Sequence, residues 1–85
     1  MTYEIIFKPS AEKALSKLPK NIQARVLEKI AILEENPRPN GVVKLEDSDN
    51  LYRIRMGDFR IIYSIQDKEL LVLVVGIKNR REAYR

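Results

Sequence analysis

LYRIRMGDFRIIYSIQ, residues 51–66, decides the fold. Two alternating apolar and polar runs flank Gly57-Asp58, and glycine as the first turn residue suits a tight primed turn, so the stretch predicts a β-hairpin. With a two-residue loop, Met56 lies opposite Phe59, Arg55 opposite Arg60, Ile54 opposite Ile61, Arg53 opposite Ile62 and Tyr52 opposite Tyr63. Side chains alternate between faces along a strand. One face therefore collects Tyr52, Ile54, Met56, Phe59, Ile61 and Tyr63 as a core face. The other collects Arg53, Arg55 and Arg60, with Ile62 and Ser64 beside them.

The arginine face carries a cost. Like charges directly across a strand pair are destabilising, and only Asp58 on the hairpin itself is acidic. Two readings follow. The arginines form a solvated face, splayed apart or paired with carboxylates from elsewhere. Alternatively they converge on an anion, and a planar, permanently charged guanidinium is well shaped to grip phosphate.

On the N-terminal side, Thr2 to Lys8 is apolar and β-prone and predicts a short first strand. Pro9 ends it, and Ser10 is placed to cap a helix from Ala11 to about Lys17, whose apolar stripe is Ala11, Ala14, Leu15 and Leu18. Pro19 opens a second helix in which Ile22, Val26, Leu27, Ile30 and Leu33 recur at helical spacing through Glu35. Asn36-Pro37-Arg38-Pro39-Asn40-Gly41 stops it. The joint stripe of this helical hairpin has the core face of the sheet as its partner. Residues 41–46 suggest an edge strand, and residues 46–50 a polar turn whose carboxylates reach toward the arginine face. Beyond the hairpin, Asp67-Lys68 reads as a second tight turn. Leu70 to Ile77, LLVLVVGI, is apolar except for Gly76, the pattern of a strand covered on both faces. The predicted architecture is α+β: an N-terminal strand, a helical hairpin, then an antiparallel β-meander with the helices on one face. Residues 1–85 read as one domain.

Composition narrows the chemistry. There is no Cys and no His among the 85 residues, so disulfides, thiolate metal sites and the usual general base are excluded. No metal and no cofactor is expected. The start MTYEIIFKPS lacks the pattern of a signal peptide, and no run approaches the ~20 apolar residues of a membrane span, so a cytoplasmic protein without membrane contact is expected. The net charge of +4 is uneven. Residues 1–50 hold eight Lys/Arg and eight Asp/Glu, whereas residues 51–85 hold eight against four. A basic half on a neutral half points to a polyanionic partner. The remaining chemistry is electrostatic catalysis by fixed cations, with Tyr and Lys as the proton carriers beside them. Such a set suits cleavage of an RNA phosphodiester, where the 2′-hydroxyl is a built-in nucleophile. Tyr84 either relays a proton there or packs on the sheet to tie the tail down.

Along its whole length the chain resembles the RelE/ParE superfamily of toxin–antitoxin systems. The resemblance runs from FKPSAEKALSKLP through ENPRPNG, KLED and LYRIRMGDFRIIYSI to an apolar strand and NRREAYR, and it is more similar to RelE-type than to ParE-type toxins. RelE-type toxins cleave mRNA in the ribosomal A site and are silenced by an antitoxin that wraps around them. ParE-type toxins share the fold but act on DNA gyrase. The resemblance implies a metal-independent endoribonuclease with Arg53, Arg55, Arg60, Arg80 and Tyr84 as catalytic residues. Lys44, Lys78, Arg81 and Arg85 are the further RNA-binding candidates. The basic residue after the last strand falls on Lys78, Arg80 or Arg81 according to how the tail is aligned. The implied partners are a cognate antitoxin, the ribosome with mRNA in its A site, and operator DNA through the antitoxin complex. The alternatives are a ParE-like gyrase inhibitor without nuclease activity, or a module that only binds antitoxin and operator DNA. The best-known pattern has lysines where this chain has Arg53 and Arg55. Arginine keeps its proton, so those two positions can hold phosphate but cannot serve as general bases.

Overall fold

In the computed structural model of the protein, residues 2–45 and 50–79 are described. Their elements are β1 (Glu4–Phe7), α1 (Pro9–Ser16), α2 (Lys20–Glu35), β2 (Val43–Lys44), β3 (Leu51–Met56), β4 (Phe59–Gln66) and β5 (Leu71–Asn79). The strands form one sheet in the order β1-β5-β4-β3-β2. Strands β2 to β5 are an antiparallel meander, and β1 joins its far edge parallel to β5, Glu4 beside Leu71 through Phe7 beside Val74. The fold is α+β, with the parallel β1 making the sheet mixed. Two helices between β1 and the meander carry the chain across, which a parallel pairing requires.

The hairpin has the predicted register at every pair from Tyr52–Tyr63 to Met56–Phe59. Gly57 has φ +59°, and Asp58 is not among the residues with positive φ. A positive φ at the first turn position alone is the type II′ arrangement, whose twist matches the strands it joins. Ile54, Met56, Ile61 and Tyr63 are consequently buried, and Tyr52 and Phe59 pack partly buried against them. Val26, Ile30 and Leu33 from α2 and Ala11 from α1 complete the same cluster. Residues 22, 26, 30 and 33 stay on one side of a 3.6-residue helix, while Leu27 drifts off the stripe and is 46% exposed.

Several local expectations give way. The N-cap of α1 is Lys8, not Ser10, and Pro9 occupies the first turn of the helix, where a missing N–H costs nothing. The edge strand shrinks to Val43–Lys44. The second turn spans residues 67–70, with the Leu70 N–H donating to the Asp67 carbonyl at 3.2 Å and Leu70 at φ +51°. Strand β5 is not covered on both faces by the described elements. Val72 and Val74 are buried toward the helices, whereas Leu71, Leu73 and Val75 on the other side are half-buried. An unbroken apolar run predicts two covered faces only where a second layer exists, and here the helices supply one.

The stop after α2 is pinned to the sheet by a buried tyrosine. Tyr63 is fully buried, and its hydroxyl donates to the carbonyl of buried Pro37 at 2.7 Å. Burial pushes the Tyr63 hydroxyl up to about 12, so it stays a donor. Tyr63→Phe keeps the ring but leaves the Pro37 carbonyl unpaired, and is expected to cost about 1–3 kcal/mol in urea unfolding without changing the fold.

A cationic row on the open sheet face

The hairpin and β5 together assemble the basic residues. Arg55 pairs with Arg60 across β3 and β4, and Arg60 pairs with Lys78 across β4 and β5. Directly opposed residues share a face, so Arg55, Arg60 and Lys78 form a row across three neighbouring strands on the side away from the helices. At about 4.8 Å per strand the row spans roughly 10 Å, the scale of a dinucleotide. The adjacent row on the same face is Val43, Arg53, Ile62 and Gly76. A bulge between Ile62 and Tyr63 inserts Val75 into β5, which holds this alignment where a regular ladder would not. Gly76 leaves an open place in its row. A Cβ there would sit 3.9 Å from Lys78 Cε, so the lysine stem lies back over the glycine, toward the row that carries Arg53.

The electrostatics favour an anion on this face. Arg55 is exposed and Arg53 and Arg60 are half-buried. Neither Arg53, Arg55 nor Lys78 forms an ion pair with a carboxylate among the described residues. The Arg53 Nε is buried and has no hydrogen-bond partner among them. A buried, unpaired guanidinium N–H is costly, and an incoming phosphate oxygen would satisfy it. Opposing Arg55 to Arg60 is destabilising in an empty sheet, a cost that a bound anion would offset.

Not every sequence candidate joins the row. Lys44 pairs with Tyr52 and so lies on the opposite face from the arginines. Arg80, Arg81, Tyr84 and Arg85 lie outside the described residues, as do residues 46–49 with their carboxylates. One further cation was not legible in the sequence. Arg25 of α2 brings its Nη2 to the hairpin turn, 3.7 Å from where a Cβ on Gly57 would stand. Helix periodicity shows only that Arg25 is off the apolar stripe, and the approach to a turn 32 residues later is set by packing.

A second polar cluster, also unforeseen, lies at the other end of the sheet. Arg38 forms a two-pronged ion pair with Asp67, Nη2 to Oδ2 at 2.9 Å and Nη1 to Oδ1 at 3.2 Å. Tyr3 donates its hydroxyl to Asp67 Oδ1 at 2.7 Å, and the Arg38 guanidinium lies 5.3 Å over the Tyr52 ring. The cluster clamps the 36–41 segment to the β4–β5 turn. Arg38 and Tyr3 donate hydrogen bonds that hold the Asp67 carboxyl below its usual value of 3.8. Among the described residues, no three His, Cys, Asp or Glu side chains gather into a metal site, and no helix is long and apolar enough to cross a membrane.

Comparison with known proteins accords with this geometry. The family described as the ParE toxin of type II toxin–antitoxin systems, parDE, matches residues 5–84. The chain is 31% identical over 84 residues to Toxin RelE of Mycobacterium tuberculosis, covering 98% of this chain and 87% of that one. It is 32% identical over 76 residues to a putative toxin RelE1 of Methanocaldococcus jannaschii, covering 86% and 84%. Among solved structures, a chain of the archaeal RelE–RelB complex from Pyrococcus horikoshii superposes with a TM-score of 0.83 at 40% identity, covering 94% of this chain and 97% of that one.

The lowered Asp67 value has a signed consequence. Its stabilisation is fully present above the usual carboxylate value and is lost as pH falls through the lowered one. Because the pair is exposed the effect is small. Asp67→Asn is expected to flatten the acid limb of a Tm-versus-pH curve while leaving the fold intact; an unchanged limb would show that Asp67 does not contribute to it.

Proposed function

The chain belongs to the RelE/ParE superfamily and is a toxin of a type II toxin–antitoxin system; from that premise we propose that it is a ribosome-dependent endoribonuclease that cleaves mRNA in the A site. The observation that carries this reading is the cationic row, Arg55, Arg60 and Lys78, with Arg53 beside it. A gyrase-binding surface has no need of a phosphate-sized concentration of guanidinium groups, whereas a nuclease without His or metal ligands depends on one. Arg53, Arg55 and Arg60 would hold the scissile phosphate and stabilise the charge that gathers on it in the transition state. Tyr84, with a cation of the 78–81 segment, would complete the site. A site of this kind needs no metal, since fixed cations take the place of a Lewis acid. The protein would act in the cytoplasm, where translating ribosomes present the substrate.

A cognate antitoxin is the second partner in this reading. The Pyrococcus horikoshii relative is seen in complex with RelB, and an acidic antitoxin segment over the open face would neutralise the row. Contact with operator DNA would come through that complex.

Single-turnover cleavage of mRNA on programmed ribosomes tests the reading. Arg60→Ala removes a charge-assisted phosphate contact and is expected to slow cleavage ~10²–10³-fold. Arg55→Lys keeps the charge but not the fork and is expected to cost less. Filamentation with DNA damage on expression, without mRNA cleavage, would replace the nuclease by the gyrase inhibitor. Tyr84→Phe distinguishes the roles of that residue. A proton-transfer role predicts normal thermal unfolding and ribosome binding with cleavage down ~10²-fold or more. Cleavage at the unmodified rate would remove Tyr84 from the mechanism.

A further inference from the structure

The chain has three glycines, and two of them are explained by their turns, since Gly41 and Gly57 have positive φ. Gly76 is different. It lies inside β5, and its φ is not positive. A glycine in a strand interior weakens the strand, because it loses more chain entropy on folding and packs no side chain. Crowding does not call for it either. A Cβ at Gly76 would meet nothing nearer than Lys78 Cε at 3.9 Å, an ordinary contact. The bulge beside it does not need a glycine, because the type that does holds that residue in the left-handed region. The remaining reason for a glycine within a strand is the close approach of something from outside the chain.

The surroundings of Gly76 say what that is. It pairs with half-buried Ile62, which in turn pairs with Arg53, all on the face away from the helices. Strand β1 ends at Phe7 opposite Val74, so no described strand flanks β5 on that side at Gly76. The result is a shelf floored by the Gly76 peptide, with Ile62 along one side and the Lys78 stem at one end. A flat and largely apolar group fits it. The row Arg55, Arg60 and Lys78 lies two residues further along, about 7 Å away. A nucleotide spans that distance from phosphate to base. Resting on the nuclease reading above, we propose that Gly76 is the seat of a nucleobase, belonging to a nucleotide whose scissile phosphate lies on the cationic row. Gly76 is thus a positioning residue, and the size of the side chain at 76 decides how well a base is held there.

Single-turnover cleavage on programmed ribosomes tests this with an ordinary mRNA and two abasic ones. In these the nucleotide on the 5′ side or the 3′ side of the scissile phosphate lacks its base. Gly76→Val fills the shelf with a side chain that suits a strand, so Tm is expected to be equal or higher. Gly76→Ala adds only the methyl group that meets Lys78 Cε, and serves if valine disturbs the sheet. The unaltered protein is expected to cleave one of the abasic mRNAs about tenfold more slowly than the ordinary one, the scale of one base-stacking contact. Gly76→Val is expected to lose about the same factor on the ordinary mRNA and nothing further on that abasic one, as coupled partners do. Full-rate cleavage of both abasic mRNAs by the unaltered protein would overturn the assignment. So would full-rate cleavage of the ordinary mRNA by Gly76→Val, or an equal loss on ordinary and abasic mRNAs. Failure of the unaltered protein to cleave any of them would overturn the nuclease reading itself, and the assignment with it.

Discussion

The two-residue turn at Gly57-Asp58 is the constraint on which the rest of the structure depends. A strand has period two, so the length of that loop sets the direction of every side chain on β3 and β4 at once. With the loop at two residues, Ile54, Met56, Ile61 and Tyr63 face the helices, and Arg53, Arg55 and Arg60 face away. One residue more or less would bury the arginines and expose the core. The positive φ of Gly57 is the local feature that holds the turn short.

The cationic face is the by-product of that register together with a second one. Pairing of β5 to β4 adds Lys78 to the arginine row, and the bulge at Val75 keeps the row in line beyond Ile62. The sheet is thus a rigid frame for cations that repel one another. It keeps them in place because the opposite face of the same strands is buried against α1 and α2, and core packing outweighs the cross-strand repulsion. The core lies on one face of the sheet and the cationic row on the other. An anion is the natural complement to that arrangement, and the buried Arg53 Nε, without a hydrogen-bond partner among the described residues, is a donor that one would satisfy.

The clamp at the opposite end separates charges usefully. Asp67 is engaged by Arg38 and Tyr3 at the β4–β5 turn, the end of the sheet away from the arginine row. Tyr63 fixes the Pro37 carbonyl from within the core, so the segment that carries Arg38 is anchored on both sides. Exposed ion pairs contribute little to stability. This one ties the 36–41 segment to the β4–β5 turn.

The residues of the hairpin were legible in the sequence because turn chemistry and two-fold alternation are local. Gly57-Asp58 and the alternating runs determined the register, the core face and the arginine face, and proline and apolar spacing determined the two helices. The parallel docking of β1, the place of Lys78 in the row, Arg25 at the turn and the Arg38–Asp67–Tyr3 cluster were decided only by the tertiary structure. Each joins residues far apart in the chain, and no local period encodes such a pairing. Ser10, Lys44 and Leu27 show the same limit from the other side. Capping propensity, basic charge and apolar character put them among the candidates. The start of α1, the pairing of Lys44 with Tyr52 and the drift of a 3.6-residue helix set them elsewhere. Propensity names which residues are able to serve; packing chooses among them, because only burial and register carry energies large enough to decide.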